Sequence, residues 1–238
     1  MTGEHVWSDW MNALFPGEKI FRNQTRQGNE IAWLGSELDW TVKVVCEACN
    51  TGWMSRMEEI HAKPSMSDLI VGKFDIPISQ SRASSIALFA FKTTVILEHM
   101  RRDIPVRFFS RNVRHRFRQE LEIPHNVRMW MAGFLPRHKG RCMTMYHDTV
   151  LPNSGPLKFY VCNFSAGHFM FQVIAERKPP FLAVSPARGY EQLAVPFWPR
   201  IPDGFVWPPK SILKTTGDFE AFSTRWRRIE LAVPTGGD

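Results

Sequence analysis

Apolar positions follow a helical period at the start of the chain and again through its middle, and a strand period towards its end. Val6, Trp7, Trp10, Met11, Leu14 and Phe15 recur at helical spacing until Pro16-Gly17 ends the run. Two short alternating segments follow, at 18–24 and 30–34, with the polar stretch Thr25–Asn29 as the turn between them. Trp40–Val45 reads as a strand. Beyond it Trp53, Met54, Met57, Ile60 and His61 fall on one face of a helix that Pro64 closes, with Asn50 a good N-cap. Ser79 to Arg102 predicts a long helix, its inner face carrying Ile86, Phe89, Ala90, Thr93, Ile96, Leu97 and Met100. Residues 110–121 predict a second, strongly basic helix.

From Val127 the texture changes. Runs at 127–135, 141–150, 157–163 and 168–177 are apolar or aromatic and are separated by turn residues, with no helical pattern between them. Consecutive strands joined this way pair antiparallel. The Pro-rich, aromatic stretch 178–210 predicts irregular structure over the sheet, Asp218–Ile229 a closing helix, and Pro234–Asp238 a frayed tail. The expected fold is α+β. It comprises an N-terminal ββα module over 1–63, a helical connector with the basic helix over 64–126, and a mainly antiparallel β region with a C-terminal helix over 127–238.

Composition narrows the function classes. With 44% hydrophobic and 13% aromatic residues, the chain of 238 residues can bury a substantial core, which excludes wholesale disorder. No apolar run reaches bilayer length and the start lacks the order of a signal peptide, so no membrane partner and a cytoplasmic location are expected. A net charge of +7 favours polyanions, because each Lys or Arg on a phosphate releases condensed counterions. The 4 cysteines are uneven: Cys46 and Cys49 stand at knuckle spacing, whereas Cys142 and Cys162 lie singly in apolar runs and read as buried small residues. A structural zinc site takes four ligands, and this chain supplies one Cys-x-x-Cys hook.

Two phrases carry more chemistry: Glu4-His5-Val6-x-x-x-Trp10, and Cys46-x-x-Cys49-Asn50-x-Gly52-Trp53-Met54-Ser55-x-x-Glu58. Together they resemble the HNH (ββα-metal) endonuclease-like proteins of bacteria, over the first quarter of the chain. The resemblance implies a metal-dependent endonuclease that hydrolyses phosphodiester bonds in DNA. His5 would activate the water, held by the Asn50 side chain, and Glu4 and Glu58 would hold a single Mg²⁺ or Mn²⁺. Each has an ordinary alternative. Asn50 can serve only as a helix cap, Glu4 and Glu58 can be solvated charges, and Glu59 or His61 can replace Glu58 in another helical register. Cys46 and Cys49 would be half of a structural Zn²⁺ site. Related proteins often carry their other hook just upstream of the Glu-His pair, which leaves three expectations: an in-frame Cys-x-x-Cys encoded ahead of Met1, a protein that has lost the zinc and relies on packing, or a degenerate copy that no longer cuts.

The basic run is the candidate for nucleic-acid contacts. On a continuous helix Arg107, Arg111, Arg114 and Arg118 share one face, beside His115 and Arg116. Four guanidiniums on one face repel unless an anion lies between them, although a solvated face paired with Glu120 and Glu122 is the plainer account. The aromatic residues, Trp33, Trp40, Trp130, Trp198, Trp207 and Trp226 among them, are mostly core and in principle base-stacking platforms. The principal alternative to the nuclease is a catalytically inactive HNH-like protein that binds nucleic acid or regulates. A protein-interaction module is a third class, with no residue pattern in its favour.

Overall fold

The structure is a computed structural model. It describes residues 2–15, 20–26, 29–35, 41–99, 107–135, 140–151, 155–177, 183–186, 189–190 and 192–229. The fold is α+β. Strand β1 (Thr2–His5) leads into α1 (Asp9–Ala13), the hairpin β2 (Ile20–Arg26) and β3 (Asn29–Gly35), and then β4 (Thr41–Val45). β1 and β4 pair antiparallel, with Glu4 opposite Val42 and His5 opposite Thr41. α1 and the β2–β3 hairpin lie between these two paired strands in the chain, and a helix follows β4.

The helix after β4 is longer and less regular than its sequence suggests. A wide π-type turn at Cys49–Met54 runs into α2 (Ser55–Met57), a second wide turn at Glu58–Ala62 and α3 (Lys63–Ile70). This corrects two expectations. Pro64 does not close the helix but stands in the first turn of α3, where its missing N–H costs little. Ile60 is 65% exposed instead of buried, because the wide turn shifts the buried stripe from Met57 to Ala62, a step of five residues.

After β5 (Ile76–Pro77) comes α4 (Gln80–Glu98), nineteen residues long and capped by Ser79, whose hydroxyl accepts from the Arg82 amide. Next is α5 (Arg111–Glu120), capped in the same way by Ser110. The β region holds β6 (Val127–Phe134), β7 (Gly140–Leu151), β8 (Gly155–Ala166) and β9 (Phe169–Glu176). Then follow β10 (Ala183–Pro186), β11 (Ala194–Trp198), β12 (Val206–Trp207), β13 (Ile212–Leu213), α6 (Thr216–Thr224) and β14 (Trp226–Ile229). The main sheet runs β11-β6-β9-β8-β7 and is antiparallel, except that β13 joins β6 in parallel. Two expectations change here. The closing helix stops at Thr224 and the chain continues as β14, whose Trp226-Arg-Arg-Ile pairs with β10. The stretch expected to be irregular contributes β11 as a sheet edge.

α4 lies across the sheet. Phe89 meets Phe164 and Phe171 at ring distances of 5.9 and 6.4 Å, and those two stack on each other at 5.0 Å. Trp7 stacks on Phe164 at 5.2 Å and donates from its indole N–H to the Ser165 carbonyl at 2.9 Å. The N-terminal segment, α3, α4 and the sheet therefore share one buried cluster. On the other face Gln172 donates to Asn163 Oδ1 and to the Phe222 carbonyl, which fixes α6. Cys162 is buried and Cys142 partly so, and burial pushes the Cys162 thiol up to about 12. Among the described residues no helix is long and apolar enough to cross a membrane.

Candidate functional site

Glu4 and Glu58 do converge, but on a third residue. Lys92, from the middle of α4, places its ammonium 2.8 Å from Glu4 Oε1 and 2.5 Å from Glu58 Oε1. Lys92 is 2% exposed and Glu4 is buried with it, while the Phe89 ring lies 5.1 Å from the same nitrogen. Burial works against the charge on Lys92, yet Glu58 and Glu4 outweigh it and hold the ammonium above its ordinary value. The cluster is thus one cation between two carboxylates, with a formal charge of about −1.

This arrangement bears directly on the metal that the resemblance implies. The two carboxylates are near enough to share a cation, and that cation is the protein's own ammonium. Among the described residues no group of three or more His, Cys, Asp or Glu side chains is placed to hold a metal ion. With Lys92 in place Glu4 and Glu58 do not fit a divalent ion. Glu59 pairs with Lys63 at the surface, at 3.1 Å, and His61 lies 3.4 Å from the Ser85 hydroxyl, so neither replaces Glu58.

His5 and Asn50 both belong to the β1–β4 end of the molecule, His5 as the last residue of β1 and Asn50 at the start of the helix after β4. His5 Nδ1 lies 3.1 Å from Asp9 Oδ1, across the turn that opens α1. Asn50 donates from its side-chain amide to the Gly3 carbonyl at 3.0 Å, which fastens the helix start to β1. It is not a side-chain cap, since the residue before the wide turn is Ala48.

Beside the cluster lies a cavity of about 310 Å³, between β4, the knuckle, α4 and α5. Lys92 reaches it from α4, and Cys46 and Cys49 line one side. Its apolar walls include Val44, Trp53, Val95 and Phe117, and its cationic edge is Arg111, Arg114 and Arg118, with His115 beside them. The sequence of α5 dictates this arrangement. Phe117 is the buried residue of the helix, packed on Trp53 and Phe91 at ring distances of 5.7 and 4.8 Å. Arg114 and Arg118 flank it at helical spacing and so face the cavity. Arg107 does not belong to this row. Ser110 starts α5 after it, and its guanidinium donates to the Glu98 carbonyl at 2.9 Å.

Two groups fix the back of the cavity. His99 Nδ1 lies 2.8 Å from the Val95 carbonyl, which makes Nδ1 the donor and leaves Nε2 to accept from Arg114 at 3.4 Å. Arg114 also donates to the Phe109 carbonyl at 3.1 Å. Burial, then Arg114 and Arg107, hold the His99 imidazole below its ordinary value. The Glu98 carboxylate accepts from the Phe108 and Phe109 amides and orders the segment entering α5. At the knuckle, the Cys49 thiol and then Arg118 favour the Cys46 thiolate, so that Cys46 titrates below and Cys49 above the ordinary thiol value.

Lys92 and His99 are the site residues that sequence reasoning missed. The signal for Lys92 was present: a lone lysine on the buried stripe of an apolar helix requires a buried anion. Comparison with protein-family models, with curated proteins and with solved structures finds no match for this chain.

Proposed function

We propose that this chain is a nucleic-acid-binding protein built on an HNH-like ββα frame, whose contact surface is the α5 face over the cavity. The observation that carries this reading is the row Arg111, Arg114 and Arg118 along one side of an apolar-walled cavity. Arg114 is already held by His99 Nε2 and the Phe109 carbonyl. Guanidiniums fixed in advance bind phosphate with less loss of side-chain entropy. The net charge of +7 acts in the same direction. Nucleic-acid affinity of the wild type should fall linearly with log salt. Replacing Arg111, Arg114 and Arg118 by Ala should weaken duplex DNA binding by tenfold or more at low salt and flatten the salt slope by two to three contacts. Unchanged affinity and slope in that triple variant, measured by fluorescence anisotropy, rule out the α5 face.

A second reading, metal-dependent DNA cleavage, has one observation in its favour: Glu4 and Glu58 come from β1 and the long helix to within reach of the same cation. It requires Lys92 to leave that position. Plasmid nicking in Mg²⁺ or Mn²⁺ that EDTA stops and that His5→Ala loses would establish it. Salt-sensitive binding with no cutting in either metal leaves the binding reading alone.

A further inference from the structure

The binding reading concerns phosphates in general, but the cavity itself is more selective than a charged surface. Its walls combine two chemistries. The Trp53 indole, the Phe117 ring and the Val44 and Val95 side chains make an apolar slot, while three arginines and His115 stand along one edge. A cavity of about 310 Å³ lies at the small end of the range for small-molecule sites. An inorganic phosphate would contact the arginines and leave the slot wet. A long acyl anion would fill the slot and overrun it. The ligand that uses both parts is a flat, largely apolar ring system carrying one phosphate.

We propose that this cavity is a binding site for one nucleotide unit, with the base between Trp53 and Val95 and its phosphate on Arg111, Arg114 and Arg118. Two sources present that chemistry: a free nucleoside monophosphate, or the phosphorylated end of a nucleic-acid strand. Stacking of a base against an aromatic side chain tolerates any base, so the site selects for a phosphate-bearing end more than for sequence. Arg114 sets the register, because its two protein acceptors fix its guanidinium between Arg111 and Arg118 in the row. Arg111 and Arg118, both exposed, close on the phosphate from the rim.

The inference rests on the phosphate-binding reading of α5, and the test separates the two. Isothermal titration of the full chain would use deoxyadenosine monophosphate, deoxyadenosine, inorganic phosphate and octanoate. Anisotropy would compare a single-stranded oligonucleotide with and without a 5′ phosphate, and a blunt, unphosphorylated duplex. The expected result is one nucleotide per chain, bound at least tenfold more tightly than phosphate, nucleoside or octanoate. Arg118→Ala should weaken it about tenfold, and Val95→Phe, which fills the slot, should abolish it. Arg116→Ala, which removes an equal charge from the far side of α5 where Arg116 pairs with Glu122, should leave it unchanged. Tighter binding of the 5′-phosphorylated strand, with weak binding of the free nucleotide, assigns the site to strand ends; the converse assigns it to free nucleotide. Equal binding of phosphate and nucleotide, or of octanoate and nucleotide, overturns the proposal. So does duplex binding that needs Arg111 and Arg118 while no nucleotide binds, an outcome that leaves the general reading standing. Loss of both duplex and nucleotide binding removes the two together. Because Arg118 is exposed, its variant decides the matter even where Val95→Phe disturbs packing.

Discussion

The main sheet and the ββα side of the molecule are held together by different forces. β9 and the 159–166 part of β8 bury every side chain, and most of their contacts are aromatic rings and aliphatic groups that gain by leaving water whatever lies next to them. The ββα side centres on Lys92, Glu4 and Glu58, where the gain depends on three charged groups meeting at hydrogen-bond distance. A sheet core degrades gradually as atoms are removed. A buried ion cluster fails at once, because taking out one member strands the others. The comparison teaches where this protein is tolerant and where it is specific: the sheet supplies bulk stability, and the cluster supplies a single arrangement of β1, the long helix and α4.

The largest effects should come from attacking each region by its own logic. Lys92→Met keeps most of the side-chain volume but leaves two carboxylates without a cation, and should destabilise the fold by about 3–5 kcal/mol. Phe164→Ala removes a ring that touches Trp7, Phe89 and Phe171 and should cost about 3–5 kcal/mol through the cavity it leaves. The two differ in their rescue. Millimolar Mn²⁺ should recover part of the loss in Lys92→Met, because two facing carboxylates attract a divalent ion, and should do nothing for Phe164→Ala. Thermal melts of both variants with and without Mn²⁺ test this, and identical responses would erase the distinction between the regions.

A smaller effect should come from the place where the two regions meet. Gly167 forms the turn between β8 and β9 with φ +51°, and a Cβ there would overlap the Ile70 carbonyl at the end of α3 and the Phe15 ring. The next amide, of His168, donates to that same carbonyl at 2.9 Å. Gly167→Ala therefore meets both a disfavoured backbone region and a contact without room, and should cost about 1–3 kcal/mol by urea denaturation. Gly189→Ala is the control. Its φ is also positive, at +97°, but nothing lies near the added atom, so only the backbone penalty remains.

The same division explains what could be read in the sequence. The strands of the sheet were legible because apolar runs between turn residues have few other ways to be satisfied, and β6 to β9 fall within a few residues of expectation. The resemblance set Glu4 and Glu58 at one metal ion, and in the structure both pair with Lys92 instead. A lone lysine on the buried stripe of α4 signals a buried anion, but its partners lie far off in sequence, Glu58 34 residues before it, and no local pattern pairs them. Local geometry also escaped pattern reading. A regular period of 3.6 cannot anticipate the wide turns that expose Ile60, and Arg107 extends the arginine row only if the helix ignores Ser110. In both places a local hydrogen-bonding preference overrides the periodic pattern.

The smallest predicted effect is a dependence on pH that belongs to the ββα side. His99 is half-buried beside α5, and its Nε2 accepts from Arg114 and so must be unprotonated. Protonation removes that acceptor and adds a positive charge next to Arg114 and Arg107, which is why burial first, and then these two arginines, hold its folded pKa below the ordinary 6.5. The sign follows. The unfolded chain takes up the proton more readily than the folded one, so the contribution of His99 to stability is complete above 6.5 and is lost as the pH falls from there through the lower folded value. His147, in β7, shifts in the same direction through burial alone and adds to the wild-type slope. Urea midpoints from pH 7.5 to 5 should therefore decline in the wild type and decline less in His99→Gln, whose amide can still donate to the Val95 carbonyl. If the two curves run parallel, His99 is not the neutral acceptor that holds Arg114, and that guanidinium is fixed by the Phe109 carbonyl alone.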